Sequence, residues 1–300
     1  MERNDPGAVS ATGMVAPGSH LVGPVTAPAI HVMSWNVRRP VPAVVARPSD
    51  RWSRRAPAVR ALLAAERPTV LGAQEVLREQ TTVMLDALGP GYAVVGRGRG
   101  SDGGGEASPI FYDSGRLELL DWAQIALSDQ PTRAGSASWG NLIPRVMVSA
   151  EFRDRGTSRS FLVINTHLDP FSARSRLRSA RAILDLVSAA GPSSARHSPA
   201  LVTGDLNTGP AGAAVRELVR EGTLVDSWHS ARTRASEEWG TYTGYRAPRR
   251  NGARIDWILA SSAFRVTHAA VNPLRPGGVW ASDHLPVHAV VRLDRGGVAA

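Results

Sequence analysis

Seven short polar motifs follow or adjoin apolar runs: Ser34-Trp35-Asn36, Gln74-Glu75, Gly105-Glu106, Asn165-Thr166-His167, Gly204-Asp205-Leu206-Asn207, Arg254-Ile255-Asp256 and Ser282-Asp283-His284. Carboxylates and amides are the oxygen donors that a hard divalent cation takes. Placed at the ends of rigid strands, they can be held toward one cleft. Histidines and further acids beside such a cation suit deprotonation of a water and stabilisation of a phosphate. Together the motifs spell metal-dependent cleavage of a phosphate ester, most simply a phosphodiester.

Taken singly, each motif has a plainer reading. Glu75 could be an acid stabilising the N-terminus of the next helix, and Asn36 could simply end its strand. Asp205 and Asn207 straddle Leu206 and would point the same way if extended, although Gly, Asp and Asn also make turns. His167 and His284 could be structural. Asp256, within Ile255-Asp256-Trp257-Ile258, is an acid in an apolar run and needs a partner; His284 is the natural candidate. Arg174, Arg178 and Arg181 share one helical face and are read as solvated. His20, His31, His197, His229, His268 and His288 carry no motif and receive no role.

The elements that must position these groups can be read from periodicity. Strands are expected over residues 30–37, 69–75, 110–112, 117–127, 145–152, 161–165, 201–203, 254–260, 264–271 and 286–293. Amphipathic helices are expected over 51–65, 79–88, 172–190 and 211–221. Residues 96–105, rich in Gly and Arg, form a loop. Many strands joined by both hairpins and helices predict sheet-on-sheet packing with helices outside. Residues 1–28 read as a disordered arm, 29–295 as one catalytic domain and 296–300 as a tail.

Composition narrows the function classes. With no Cys, disulfides, thiolate metal sites and Cys nucleophiles are excluded. No apolar run reaches the ~20 residues of a membrane helix, and the start lacks the features of a signal peptide, so a cytoplasmic protein is expected. The net charge is +9, which favours an anionic substrate. All 35 basic residues are Arg, a bias typical of a GC-rich coding sequence, so the charge speaks only weakly for nucleic acid.

The chain resembles the endonuclease/exonuclease/phosphatase superfamily over roughly residues 30–294, with Trp35-Asn36, Gln74-Glu75, Thr166-His167-Leu168, Gly204-Asp205-Leu206-Asn207, Ile255-Asp256 and Ser282-Asp283-His284 in the superfamily's order. It is similar to a bacterial branch through Asp102-Gly103-Gly104-Gly105-Glu106, Pro109-Ile110-Phe111-Tyr112, Pro144-Arg145 and Gly240-Thr241-Tyr242-Thr243-Gly244-Tyr245. The resemblance implies a four-layer α/β sandwich with two central mixed sheets and outer helices. It implies Mg²⁺ or Mn²⁺ held by Glu75 with Asn36 and Asp283. Asp205 would activate the water, Asn207 would position it or the phosphate, and His284, oriented by Asp256, would stabilise the transition state. His167 would contact phosphate, with Glu106 as its acidic partner. The loop Arg38-Arg39-Pro40-Val41-Pro42-Ala43-Val44-Val45 departs from the branch, which carries Asp and Asn there.

A phosphoesterase acting as a monomer on a small-molecule, lipid-headgroup or nucleic-acid phosphate is therefore expected. A nuclease acting on DNA or RNA is the alternative, and a non-catalytic phosphate-binding module of the same fold is the second.

Overall fold

The computed structural model describes residues 14–15, 18–42, 44–189 and 198–293. In chain order its strands are β1 (Met14–Val15), β2 (Ala29–Asn36), β3 (Val70–Gln74), β4 (Tyr92–Val95), β5 (Ile110–Asp113), β6 (Leu117–Ala126), β7 (Val146–Asp154), β8 (Arg159–His167), β9 (Ala200–Asp205), β10 (Leu224–Asp226), β11 (Thr233–Arg234), β12 (Asp256–Ser261), β13 (Phe264–Val271), β14 (Arg275–Pro276) and β15 (Val287–Leu293). The α-helices are α1 (Trp52–Glu66), α2 (Arg78–Leu88), α3 (Ala173–Ala189), α4 (Ala213–Val219) and the single-turn α5 (Ser227–Ser230). Among the described residues no helix is long and apolar enough to cross a membrane.

Two mixed sheets stack face to face. One runs β11-β13-β15-β2-β3-β5-β4 and the other β10-β12-β9-β8-β7-β6. Side chains alternate along a strand, and both faces of the central strands, such as β2, β3, β8 and β9, are covered. Ile30, Val32, Val70, Phe152, Phe161, Val163 and Ile258 fill the space between the sheets. On the outer face of the seven-stranded sheet, Met33, Trp35 and Leu71 meet Val59, Leu62 and Leu63 of α1 and Met84 of α2. Ile164 and Val202, on the outer face of the six-stranded sheet, meet Ala180 and Ile183 of α3 and Leu218 of α4. The result is the α/β/β/α sandwich expected.

The sheets approach most closely just beneath one end. A Cβ added at Gly72 would lie 2.0 Å from Thr203 Oγ1 and 2.7 Å from Asn165 Oδ1, so only glycine fits. A polar clasp forms there: Gln74 Nε2 donates to Asn165 Oδ1 (2.8 Å), and Asn165 Nδ2 donates to the carbonyls of Ala73 (2.8 Å) and Pro109 (2.9 Å). Buried amides demand such partners, and here they bind one sheet to the other.

Order begins earlier than expected. The N–H groups of Leu21, Val22 and Gly23 donate to the Glu66 carboxylate at 2.7, 3.1 and 2.9 Å, and Asn272 Nδ2 donates to the same group at 2.8 Å. A fully buried acid at the end of α1 needs these donors, and in receiving them it ties down residues expected to belong to the arm. Residues 1–13 and 16–17 of that arm, and the expected tail 296–300, lie outside the described residues. Strands β1, β4, β10, β11 and β14 are not among those expected: all are short, β4, β10 and β11 lie at sheet edges, and β1 and β14 pair with each other outside the two sheets.

Beside Glu66, two buried histidines share a hydrogen bond, 2.9 Å between His31 Nε2 and His288 Nδ1. Asn272 Oδ1 accepts the Leu274 N–H at 2.9 Å, which orients its NH₂ toward Glu66 and, at 3.4 Å, toward His288 Nε2. His288 therefore donates from Nδ1 to His31. Burial pushes both rings below their ordinary range, His31 to about 3.

Candidate active site

Parallel pairing aligns the ends of β2 with β3 and of β8 with β9, and the start of β12 pairs with the end of β9, Asp256 opposite Asp205. This alone brings Asn36, Glu75, His167, Asp205 and Asp256 to one end of the sandwich. Asp283 and His284 arrive on the loop before β15. That loop is fixed by Ser282 Oγ–H on the Asn36 carbonyl (2.7 Å), by Trp35 Nε1 on the His284 carbonyl (3.2 Å), and by Thr243 and Gly244 N–H groups on the Asp283 carbonyl.

Asp205 lies at the centre. Its Oδ2 accepts from Asn36 Nδ2 at 3.0 Å and faces Nε2 of His167 at 3.6 Å and of His284 at 3.9 Å. Its Oδ1 accepts the Asn207 N–H at 2.9 Å. Burial first, and then the neighbouring Asp256, push its pKa up, against the pull of the two histidines and Asn36. A raised carboxylate is what a general base for water requires.

His284 donates from Nδ1 to Asp256 Oδ2 at 2.8 Å, as expected. Burial opposes its charge, but Asp256, Asp205 and Asp283 outweigh burial and raise the ring to about 10, so both nitrogens carry protons near neutral pH. Asp205, Asp256 and His284 form the tightest group of potential ligands here. With Nδ1 given to Asp256 the group is arranged to handle a proton, and its two carboxylates and ring nitrogen also lie close enough together to hold a metal ion.

Oxygen donors for a cation stand on the other side. Burial pushes the Glu75 carboxyl up, but His167, the Asn36 hydrogen bond (3.1 Å), Arg38 and the Arg39 N–H (3.1 Å) hold it at about 2. Because burial and the Arg145 and Arg99 cations keep His167 itself near 4, the Asn36 and arginine contacts are what act on Glu75 at neutral pH. Asp283 faces the same position: Arg38 lies 3.7 Å from Glu75 and 3.8 Å from Asp283. One positive group already sits between two carboxylates, which is the charge pattern that Mg²⁺ or Mn²⁺ would take. Glu75 also holds a left-handed backbone, φ 60°, a strain that persists where the surroundings fix it.

Asn36 donates its NH₂ to Glu75 and Asp205, while its Oδ1 accepts the Arg38 N–H at 2.9 Å, so its amide joins the two acids. Two expectations are corrected. Asn207 is not extended: at φ 50° the alternation with Asp205 breaks, and its Nδ2 donates to the Leu168 carbonyl at 2.9 Å. Glu106 does not bond His167. It pairs with Arg99 (2.8 Å) and Arg39 (3.2 Å), because two cations outcompete a neutral imidazole. Arg174, Arg178 and Arg181 are exposed, as read.

Arg55 is the largest omission. Fully buried in α1, it donates to the carbonyls of Val37 (2.9 Å), Ala281 (3.1 Å), Arg38 (2.9 Å) and Asp50 (3.1 Å), which binds the Asn36 loop to the Asp283 loop. In sequence it reads as one more solvated arginine, and its partners lie as far as 226 residues away. Tyr242, half exposed, sets its ring 5.0 Å from that of His284 and forms part of the cleft rim.

A family model, the Endonuclease/Exonuclease/phosphatase family, matches residues 33–284. No curated protein matches. Solved structures do. An endonuclease/exonuclease/phosphatase family protein from Bacteroides thetaiotaomicron is 27% identical with a TM-score of 0.82, over 90% of this chain and 96% of that one. A mannosyl-6-phosphatase from the same organism is 28% identical with a TM-score of 0.79, over 87% and 99%. The human nocturnin catalytic domain, 20% identical with a TM-score of 0.66 over 89% and 94%, shares the fold.

Proposed function

The chain belongs to the endonuclease/exonuclease/phosphatase family, and on that premise we propose that it is a divalent-cation-dependent phosphoric ester hydrolase. Glu75 and Asp283 would hold Mg²⁺ or Mn²⁺, with Asn36 aligning Glu75 beside Asp205. When bound, the cation supplies positive charge against a phosphoryl oxygen. Asp205 takes the proton of the attacking water as it adds to phosphorus in line with the leaving oxygen. The backbone N–H of Asn207 orients that carboxylate, and the Asn207 side chain, anchored on Leu168, borders the phosphate. His284, kept protonated by Asp256, donates from Nε2 to the charge that develops on the phosphoryl oxygens. His167, neutral, offers a hydrogen bond to the phosphate.

The observation that carries this reading is the convergence on one carboxylate: Asp205 has Asn36, the Asn207 N–H, His167 and His284 all within 3.9 Å, beside two acids facing a common cation position. The mannosyl-6-phosphatase, at 28% identity across most of the chain, supports phosphate esters as substrates. The test is a panel of phosphate mono- and diesters assayed with Mg²⁺, with Mn²⁺ and with EDTA. Hydrolysis that EDTA abolishes, that either cation restores and that Asp205→Asn removes is expected. Full activity in EDTA would sink the metal role, and no turnover of any ester would sink the enzyme reading.

A further inference from the structure

A small pocket opens beside Glu75 and His167 and is lined further by Arg99, Arg145, Ser108, Val146, Ala107 and the carboxylate of Glu106, which Arg99 and Arg39 neutralise. Three segments build it: the Gly-rich loop carrying Arg99, the residues leading into β5, and the start of β7. Its floor is buried, with Arg145 5%, Ser108 4% and Val146 6% exposed.

Arg145 is the anomaly. Its Nε and Nη1 are buried and make no hydrogen bond. Its one ion pair, Nε to Asp169 Oδ2, is long at 3.5 Å, and the other oxygen of Asp169 is occupied by the N–H groups of Phe171 and Ser172 at the start of α3. A guanidinium presents five donors, and leaving buried donors unused is costly unless a ligand brings the acceptors. Arg99, beside it, is paired with Glu106 but adds a second cation to the same wall. The pocket opens on the Glu75 and His167 side, where the phosphoryl group of the proposed reaction would lie.

We infer that Arg99 and Arg145 form an oxyanion pocket for the unesterified oxygens of a terminal phosphoryl group, so that phosphate monoesters are the preferred substrate class. This rests on the hydrolase reading. Arginine matches phosphate oxygens through paired donors. A monoester presents a near-dianionic group at neutral pH, whereas an internal diester would turn an esterified oxygen and its carbon chain against a closed, buried floor. In the reaction, water adds to phosphorus and gives one proton to Asp205, the P–O bond to the alcohol breaks, the leaving oxygen takes a proton from solvent as Asp205 returns its own to solvent, and inorganic phosphate remains in the pocket.

The test uses two substrates with one leaving group, 4-nitrophenyl phosphate and bis(4-nitrophenyl) phosphate, with the full chain and Mn²⁺. The wild type should favour the monoester in kcat/KM. Arg145→Met and Arg99→Met should each lower monoester turnover by about 10²–10³-fold, the loss typical of one transition-state donor, while changing diester turnover far less. A purely structural role, Arg145 holding Asp169 and α3, would instead lower both substrates alike. If Arg145→Met fails to fold by circular dichroism, Arg99→Met carries the comparison. Inorganic phosphate binding to the Asp205→Asn chain, read by calorimetry, gives a second measure, and adding either arginine substitution should weaken it at least tenfold. Preference for the diester, equal losses on both esters, or unchanged phosphate binding would overturn the pocket. If the wild type hydrolyses neither of these two esters, the ester panel decides the hydrolase reading and phosphate binding alone decides the pocket.

Discussion

Two buried groups that join imidazole to carboxylate, one with two acids to one ring and the other with two rings to one acid, behave in opposite ways. His284 with Asp256 and Asp205 is raised to about 10, whereas His31 with His288 and Glu66 falls to about 3. Both rings are buried, so burial is not the discriminator. Charge is the first one, since three acids act on His284 while a second ring opposes the one acid near His31, and hydrogen bonding is the second. Asp256 Oδ2 is given directly to His284, and Asp256 Oδ1 has no other partner, so the acid's charge is spent on the ring. Glu66 is saturated by three backbone N–H groups and Asn272; its charge is satisfied before a ring can claim it, and the histidines must share one proton bond between themselves. A carboxylate next to a histidine makes a charged pair only when its lone pairs are not already taken.

The contrast can be broken from either side. The largest effect should come from Asp205→Asn, a drop of about 10²–10⁴-fold in kcat with KM nearly unchanged, because it removes a general base. Steady-state kinetics on the best ester of the panel checks it, and near-normal turnover would place the base elsewhere. Next, Asp256→Asn should bring His284 down from about 10. Activity needs this ring protonated, so the alkaline limb of the kcat/KM profile, expected near pH 10 in the wild type, should move toward neutrality. An unmoved limb would mean that another group sets it.

The second cluster should respond in stability and not in catalysis. His31 and His288 are depressed below 6.5 in the folded state, so the unfolded chain binds more protons as pH falls below that value. Their contribution is fully present above pH 6.5 and is lost on acidification, by about 1.4 kcal/mol per pH unit for each proton. Denaturant melts from pH 7.5 to 5 should show this slope, and His288→Asn should flatten it while leaving kcat unchanged at neutral pH. A slope identical in the variant would mean that other groups set it. The smallest effect is expected at Arg38. Removing the cation that sits between Glu75 and Asp283, in Arg38→Ala, should tighten Mn²⁺ binding several-fold by calorimetry, since like charges compete for one position. Weaker binding would mean that Arg38 orders the acids for the metal.

The same contrast shows what a sequence exposes. Asn36, Glu75, Asp205 and Asp256 were legible because an apolar strand that stops on a polar residue is unusual and local. So was the layered α/β architecture, since each element carries its own period. His31 and His288 sit inside apolar strands, and Glu66 and Arg55 sit in a helix otherwise rich in Arg and Ala. Partners outside the helix, some more than 200 residues away, such as Asn272 for Glu66 and Ala281 for Arg55, turn them from ordinary residues into fixed ones. Asn207 was misplaced for a different reason: a positive φ reverses the alternation on which its direction was inferred.

The seven-stranded sheet has a consequence for how the protein is made. Strand β2 lies between β3 and β15, so among the described residues the first long strand in chain order receives one of its two neighbours from the last. Until β15 emerges, Ala29–Asn36 presents a row of unpaired backbone groups, the edge on which nascent chains associate wrongly. The segment that closes this edge also delivers Asp283 and His284. The seven-stranded sheet is therefore completed by the same segment that brings Asp283 and His284 to the site, and a copy lacking that segment has neither the complete sheet nor those two residues.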